Sequence, residues 1–263
     1  MTECCGPEDA RQQSAAVMSA VEIKRAVRER YTEVAKRTVS CCGGEPVATQ
    51  VAERVERFGY ELDLLGQDVP DSVLESFAGC GNPLAIDALE IGHVVLDLGS
   101  GAGLDCFLAA KKVGPSGHVL GLDMTDAMLE KARANQLQLG IINVEFRKGD
   151  MEAMPVDSAS IDVIISNCVI NLSPDKDQVF QEAFRVLRLG GKLMVSDIVT
   201  VGELPGELRH IEAWTGCIGG AIPLDDYIGK LRQAGFADVA VVDSSEWRPG
   251  VLSVKIRATK PRT

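Results

Sequence analysis

Histidine is scarce in this chain, with only three among 263 residues, at His93, His118 and His210. A metal site built on several imidazoles is therefore not expected. The sequence also has no two cysteines at CxxC spacing, which argues against a zinc ribbon. No Ser-His-Asp set stands out, and no other general base is obvious from the residue pattern.

Positive charge is also in short supply, since 27 lysines and arginines face 38 acidic residues and the formal net charge is −11. Nucleic-acid binding needs clustered cations, so we expect no nucleic-acid partner. No apolar run approaches the length of a bilayer span, and the N-terminus has no secretory signal pattern. These features favour a soluble cytoplasmic protein with no membrane partner.

Cysteine, in contrast, is abundant for a chain of this kind. Without a secretion signal, a structural disulfide framework is not expected, and metal binding or thiol chemistry becomes the better explanation. Five of the eight cysteines stand in loop-like segments, SCCGG, GCGNP, SNCVINL and WTGCIGGA, whereas Cys106 lies in a helical pattern and is interpreted as a small buried residue. The eight are Cys4, Cys5, Cys41, Cys42, Cys80, Cys106, Cys168 and Cys217.

From His93 onward, apolar strand-like runs alternate with helical patterns, which predicts an α/β fold with a mostly parallel, doubly wound sheet. The predicted strands are 93–98, 118–122, 144–148, 161–167 and 192–198, with a terminal antiparallel pair at 237–242 and 252–259. The predicted helices of this part are 104–113, 127–139, 174–187 and 224–234. Ser173 and Pro174 are the expected first residues of the third, and Gly190-Gly191 its stop.

The N-terminal part has a different character, with amphipathic helical patterns interrupted by cysteine loops. Helices are predicted at 17–38, from Val47 to Phe58, at 71–77 and at 84–89, the last capped by Asn82. We therefore divide the chain into an N-terminal helical and cysteine-loop segment, 1–82, and a domain, 83–263, with an insertion near 199–223.

The most informative stretch is VVLDLGSGAG, residues 94–103, in which an apolar run leads through Asp97 into a glycine-rich turn. A second apolar run ends at Asp123. A strand, a glycine turn, a helix and a second strand with a terminal acid form a nucleoside-binding unit. Ligands lie at the carboxyl ends of such strands, where Asp150 and Asn167 also fall. A nicotinamide dinucleotide fold is the first alternative, but its turn is GxGxxG and this one is GxGxG.

An acid two residues before GxGxG resembles motif I of the S-adenosylmethionine (SAM)-dependent methyltransferases. Residues 149–152 and 184–197 resemble later motifs, so the resemblance covers roughly residues 90–245. It implies a Rossmann-like class I methyltransferase fold and SAM as the methyl donor.

The same resemblance assigns cofactor contacts. It implies backbone access at the glycines, ribose binding by Asp123 and packing of Met124 on adenine. Asp150 with Met151 or Glu152 would meet the adenine edge, and the methionine portion would lie by Asn167 and Asp97. The full set is Asp97, Gly99, Gly101, Gly103, Asp123, Met124, Asp150, Met151, Glu152 and Asn167.

The cysteine loops suggest the methyl acceptor. Soft thiolates select soft ions, and trivalent arsenic bound by three thiolates keeps a lone pair. That lone pair needs no proton acceptor to attack a methyl group, which explains the missing general base. Together, SCCGG, GCGNP, LDLGSGAGLDCF, SNCVINL and WTGCIGGA resemble the arsenite SAM methyltransferases.

In that family four cysteines matter, and the resemblance maps them onto Cys41 or Cys42, Cys80, Cys168 and Cys217. Cys168 and Cys217 resemble the pair that holds arsenic, with Cys80 as a third As(III) ligand, and the insertion near 199–223 would be part of the arsenic site. The sequence does not choose between Cys41 and Cys42.

Methyl transfer raises the formal oxidation state of arsenic by two. A dithiol can return the two electrons to arsenic by forming a disulfide. Cys80 with Cys41 or Cys42 is the expected pair. A thiol reductant of the thioredoxin or glutathione type would then reduce the disulfide.

The favoured function is methylation and detoxification of arsenite or its thiol conjugates. Two alternatives stay open at this point: a SAM-dependent methyltransferase of a small organic metabolite, and a cysteine-based metalloid or metal sensor. The cysteine loops argue against the first, since such an enzyme has no use for four thiols. The negative charge argues against a sensor that binds DNA.

Overall fold

The computed structural model describes residues 18–36, 53, 55–65, 69–85 and 89–263. Four cysteines, Cys4, Cys5, Cys41 and Cys42, lie outside the described residues, as does most of the helix predicted from Val47 to Phe58. In the part of the chain that is described, no helix has both the length and the apolar character needed to cross a bilayer.

A single seven-stranded sheet forms the centre of the described structure. Its strands are β1 (Val94–Leu98), β2 (His118–Asp123), β3 (Val144–Lys148), β4 (Ile161–Asn167), β5 (Leu187–Thr200), β6 (Ala237–Arg248) and β7 (Val251–Thr259). Their order across the sheet is β3-β2-β1-β4-β5-β7-β6. The first five run parallel, and β7 pairs antiparallel with both β5 and β6. The predicted doubly wound α/β fold with an antiparallel terminal pair is confirmed.

Seven α-helices are described. They are α1 (Ala20–Lys36), α2 (Asp71–Glu75), α3 (Leu104–Val113), α4 (Asp126–Leu139), α5 (Lys176–Val186), α6 (Ile211–Thr215) and α7 (Leu224–Gln233). Short 3-10 turns occupy Leu62–Leu65, Pro83–Ala85, Ile170–Leu172 and Gly206–Leu208. The helix predicted at 84–89 is thus seen only as the 3-10 turn that begins at Pro83, and residues 86–88 lie outside the described ranges.

The two faces of the sheet bury separate apolar clusters. Neighbouring residues of β1 point in opposite directions, so Val95 belongs to the cluster under α3 and α4, and Leu96 to the cluster under α5 and α7. Both residues are fully buried. Burial on both faces explains why the parallel strands have continuous apolar sequences rather than alternating ones.

A third, smaller cluster lies outside this two-layer core and matters most for the site. Ile23 and Val27 of α1 pack there with Cys80, Cys168 and Cys217. The buried stripe of α1 therefore rests on the cysteine loops, because Ile23 and Val27 are one turn apart on the same helix face.

β5 is longer than predicted, and α5 is shorter. The helix ends at Val186, and Leu187 already begins the strand. Gly190 and Gly191, predicted as a stop after the helix, lie within β5 instead. The antiparallel partner explains the extension at the other end, since β7 pairs with β5 as far as Thr200.

The N-cap of α5 is Asp175, whose Oδ1 accepts a hydrogen bond from Gln178 N at 3.0 Å. The predicted start at Ser173 and Pro174 is wrong. The Ser173 hydroxyl donates to Glu152 Oε1 at 2.6 Å and accepts from Asp175 N at 3.0 Å, so it stabilises the turn that precedes the helix.

Asp175→Ala should lower the free energy of unfolding by about 1 kcal/mol, because the first turn of α5 loses its side-chain acceptor. Asp175→Asn keeps an acceptor and should retain most of the stability. Urea unfolding of the three proteins measures the effect. An Asp175→Ala midpoint equal to that of the unchanged protein would contradict the assignment of this cap.

Candidate functional site

A cavity of about 1030 Å³, part of it open to solvent, lies at the carboxyl ends of the parallel strands. Its lining includes Gly99 after β1, Asp123 at the end of β2, Asp150 after β3, and Asn167 at the end of β4. This edge is where open parallel sheets bind ligands.

The cavity brings together eight of the ten residues predicted to bind a cofactor. They are Gly99, Gly101, Asp123, Met124, Asp150, Met151, Glu152 and Asn167. The other two, Asp97 and Gly103, are not among its lining residues. Of the cysteines in the described ranges, Cys168 and Cys217 line the cavity.

The glycine turn and Asp123 hold each other in place. Asp123 Oδ2 accepts a hydrogen bond from Gly101 N at 3.0 Å, and its Oδ1 accepts one from Thr125 N at 2.8 Å. Burial raises the pKa of Asp123, and these backbone donors act in the opposite direction. The carboxylate is thereby fixed in the wall of the cavity.

The glycine turn is tightly packed at Gly99 and open at Gly101. A Cβ on Gly99 would lie 2.3 Å from Val169 Cγ2, whereas a Cβ on Gly101 would have no atom within 4 Å. Ser100 lines the cavity, and its buried Oγ has no hydrogen-bond partner among the described residues. These features fit a polar ligand seated against the turn.

Helix α1 supplies a wall that the sequence did not predict. Lys24 Nζ lies 2.9 Å from Glu152 Oε2 and 3.9 Å from Asp150 Oδ2, and both acids belong to the predicted adenine edge. The charged side of an amphipathic helix is ordinarily a solvated face. No local signal distinguishes a solvated lysine from this one, because its partners are more than 120 residues away in the sequence.

The sulfur atoms of three cysteines converge in the small apolar cluster beside the cavity. Cys80 and Cys168 form a disulfide with their Cα atoms 5.8 Å apart, and an oxygen of buried Asp197 lies within 4.8 Å of both sulfurs. Cys217 Sγ belongs to the same apolar cluster and lies 3.6 Å from the hydroxyl of Tyr31.

The observed disulfide differs from the predicted one. The prediction joined Cys80 to Cys41 or Cys42, which lie outside the described residues, so that pairing stays a prediction. The structure instead places the Cys80 thiol beside Cys168, a residue that the sequence assigned to arsenic. The three predicted sulfur ligands, Cys80, Cys168 and Cys217, are nevertheless in one cluster.

The backbone conformation of the two cavity cysteines is unusual. Cys168 has φ 62° and Cys217 has φ 68°, in the left-handed region that few non-glycine residues adopt. Such conformations persist only where the surroundings enforce them, and they cluster at functional sites. Burial also raises the pKa of the Cys217 thiol to about 12, so it is protonated near neutral pH when no ion is bound.

Sequence reasoning also missed a buried carboxylate, Asp105, in the first turn of α3. It lines the cavity and accepts a hydrogen bond from the Tyr60 hydroxyl at 2.7 Å and another from Asn167 Nδ2 at 3.2 Å. Asn167 Oδ1 in turn accepts from Cys80 N at 3.1 Å. The available signal was the position of an acid two residues after the last glycine of the turn.

Comparison with known proteins first defines the class. A family model described as a methyltransferase domain matches residues 89–248. The fold is shared with phosphoethanolamine N-methyltransferase 2 of Haemonchus contortus, solved with S-adenosyl-L-methionine. That match has a TM-score of 0.59 at 18% identity and covers 70% of this chain and 53% of that one. Fold, cavity position and family match define a class I methyltransferase domain.

Relatives with higher sequence identity define the family within this class. An arsenite methyltransferase from Halobacterium salinarum is 43% identical over 236 residues, which covers 86% of this chain and 60% of that protein. The human arsenite methyltransferase is 36% identical over 240 residues, with coverages of 88% and 62%. The crystal structure of an arsenic (III) S-adenosylmethionine methyltransferase from Chlamydomonas reinhardtii matches with a TM-score of 0.66 at 34% identity, covering 83% of this chain and 74% of that one.

The chain belongs to the arsenite methyltransferase family, as its motifs predicted. It spans about three fifths of the length of the two curated relatives.

Proposed function

We propose that the protein transfers methyl groups from SAM to trivalent arsenic held by cysteine thiolates, and so detoxifies arsenite. One observation carries the proposal: Cys168 and Cys217 line the same cavity as the glycine turn and Asp123. Thiols and a nucleoside-type turn that line one cavity suit a soft acceptor and a SAM-type donor.

The residues present fit SAM. The glycine turn, which is open at Gly101, would take the backbone contacts, and Asp123 would accept hydrogen bonds from the ribose hydroxyls. The adenine edge would meet Asp150 and the backbone or side chains of its neighbours Met151 and Glu152. When bound, SAM supplies an electrophilic methyl group on a sulfonium centre.

The cysteines orient the other reactant. Thiolates of Cys168 and Cys217, with Cys80 as third ligand, would bind arsenic in a pyramid and leave its lone pair free. That pair forms the new As–C bond as the C–S bond to the sulfonium breaks. No group on the protein has to remove a proton in this step. Positioning two reactants in this way can lower a barrier by roughly 7–11 kcal/mol in favourable cases.

The electron balance requires a dithiol. The transfer oxidises arsenic formally by two electrons, and two protein thiols return them as they form a disulfide and release two protons. The proximity of Cys80 and Cys168 supports the idea that the site can form such a bond. An external thiol of the thioredoxin or glutathione type would then reduce it. This requirement favours a reducing compartment such as the cytoplasm.

The domain division proposed from the sequence is retained. Residues 1–82 would contribute Cys41 or Cys42 to the redox step, and residues 83–263 would form the methyltransferase domain. The insertion near 199–223 would contribute to the arsenic site through Cys217, which lies just after α6.

Incubation of the protein with arsenite, SAM and a thiol should yield methylated arsenic, measured as arsenic species over time by chromatography with elemental detection. Methylation of a quinone-type acceptor without methylation of arsenite would instead favour an organic substrate. Stoichiometric arsenite binding without turnover would favour a sensor. Either result would overturn the proposal.

A further inference from the structure

Two buried acids flank the glycine turn, and they differ in what they face. Asp97, at the carboxyl end of β1, is not among the lining residues of the cavity, and its Oδ2 accepts a hydrogen bond from the Cys106 thiol at 3.2 Å. Asp105, after the turn, lines the cavity. The acid that motif comparison assigned to the amino-acid end of the cofactor is therefore not the one that meets the open space.

The Asp105 carboxylate is held by neutral groups only. One oxygen accepts from the Tyr60 hydroxyl at 2.7 Å and the other from Asn167 Nδ2 at 3.2 Å. None of the salt bridges found among the described residues involves Asp105. A buried carboxylate without a cation is costly unless a partner compensates it.

The rest of the cavity wall does not supply that cation. Lys24 is the one basic residue among the described lining residues, and it is engaged by Glu152. Asp105 and Asn167 line the same cavity as the glycine turn and Cys168. A ligand that brings its own positive charge to this position would complete the site.

We propose that Asp105, and not Asp97, binds the ammonium group of the methionine portion of SAM, and that Tyr60 positions its carboxylate. The inference rests on the proposed use of SAM as methyl donor and names the residue that anchors its amino-acid end. A charge-assisted hydrogen bond between an ammonium and a carboxylate is stronger than one between neutral groups, which suits an anchoring role.

Electrostatics supports this choice. Burial raises the pKa of Asp97 well above its usual value. Burial also raises the pKa of Asp105, but the hydrogen bonds from Tyr60 and Asn167 oppose the shift, and it reaches about 6. The hydrogen bonds from Tyr60 and Asn167 thus favour the charged form of the Asp105 carboxyl.

The same hydrogen bonds tie this anchor to the sulfur site. Asn167 Nδ2 also donates to the Tyr60 hydroxyl at 2.8 Å, and Asn167 Oδ1 accepts from Cys80 N at 3.1 Å. The backbone of Cys80 thus shares one polar network with the group that would hold the methionine end. Tyr60 and Asn167 act through Asp105 and are positioning residues.

The test uses two probes, S-adenosylhomocysteine and its analogue that lacks only the amino group. Calorimetry of the unchanged protein should show the deamino analogue binding about 10- to 100-fold more weakly. In Asp105→Asn, binding of S-adenosylhomocysteine should weaken by a similar factor, while the deamino analogue should bind as before. The variant should therefore lose the preference for the ligand that carries the amino group. In Asp97→Asn, the preference should survive even if both probes bind more weakly.

Equal weakening of both probes in Asp105→Asn, or loss of the preference in Asp97→Asn, would overturn the proposal. Tyr60→Phe provides a second variant that keeps the buried ring and removes one donor. This variant should bind S-adenosylhomocysteine about 3- to 10-fold more weakly and bind the deamino analogue with unchanged affinity. An unaltered preference in Tyr60→Phe would contradict its positioning role.

Neither probe carries arsenic or a transferable methyl group. Failure of arsenite methylation would therefore overturn the proposed function without changing these binding results. Conversely, an active enzyme whose Asp105→Asn variant keeps the preference would overturn only the present inference.

Discussion

Cys217→Ser should lower the rate of arsenite methylation by a factor of about 100 or more, while binding of S-adenosylhomocysteine stays within about two-fold. The substitution replaces a soft sulfur ligand with a hard hydroxyl that does not ionise near neutral pH. It keeps the Cβ and the backbone conformation at φ 68°, so the change is confined to the ligand atom. Initial rates from arsenic speciation and calorimetric affinities measure the two effects separately.

Cys106→Ser is the matched control. Cys106 is also buried, but it is not among the lining residues of the cavity, and a serine there keeps a hydrogen-bond donor for Asp97. Its arsenite-binding stoichiometry should equal that of the unchanged protein, whereas Cys217→Ser should bind arsenite measurably more weakly. Full methylation activity in Cys217→Ser would show that Cys217 is not an arsenic ligand. Loss of arsenite binding in Cys106→Ser as well would show that the effect is not specific to the cavity cysteines.

The arrangement of the sheet was predictable because its signals are local. The strand–turn–helix pattern around the glycines placed α3 at Leu104–Val113, as the structure has it. Errors arose where a distant partner decides the outcome. The Ser173 hydroxyl bonds to Glu152 and α5 begins only after Asp175, and β5 continues to Thr200 because β7 pairs with it.

The residues of the candidate site also fall into two groups, those with a local sequence signal and those without one. The glycine turn, Asp123 and the two cavity cysteines each stand in a recognisable short segment. Tyr31 and Tyr60 stand in segments without such a signal. They reach the site through contacts to Cys217 and Asn167 across 186 and 107 residues, respectively. Periodicity shows only which face of α1 is apolar, and not which part of the sheet that face covers.

Asp105 illustrates a further limit of assigning residue roles from a sequence motif. A sequence motif assigns a role to the acid before the glycines, since that acid is part of the pattern. Whether its side chain faces the ligand depends on the strand's pleat and on which neighbours occupy the space. Here the Cys106 thiol reaches Asp97, and the acid after the turn meets the cavity instead.

Gly99→Ala should destabilise the protein far more than Gly101→Ala, although both residues have positive φ, 67° and 51°. A Cβ on Gly101 would have no atom within 4 Å, so that variant should lose only about 1–2 kcal/mol of unfolding free energy through left-handed strain. A Cβ on Gly99 would lie 2.3 Å from Val169 Cγ2 and 2.8 Å from Val169 Cβ. In Gly99→Ala, overpacking should therefore add about 1–3 kcal/mol to the loss of unfolding free energy caused by the left-handed strain.

The clash also reaches the sulfur end, because Val169 directly follows Cys168. Gly99→Ala should therefore weaken arsenite binding as well as S-adenosylhomocysteine binding, whereas Gly101→Ala should affect chiefly the latter. Removing the nearest clashing atom in Gly99→Ala/Val169→Ala should recover part of the stability, with a coupling of about 1 kcal/mol in a double-mutant cycle by urea unfolding. Equal destabilisation by the two alanines, or no coupling to Val169, would mean that the turn does not pack against the Cys168 loop in solution.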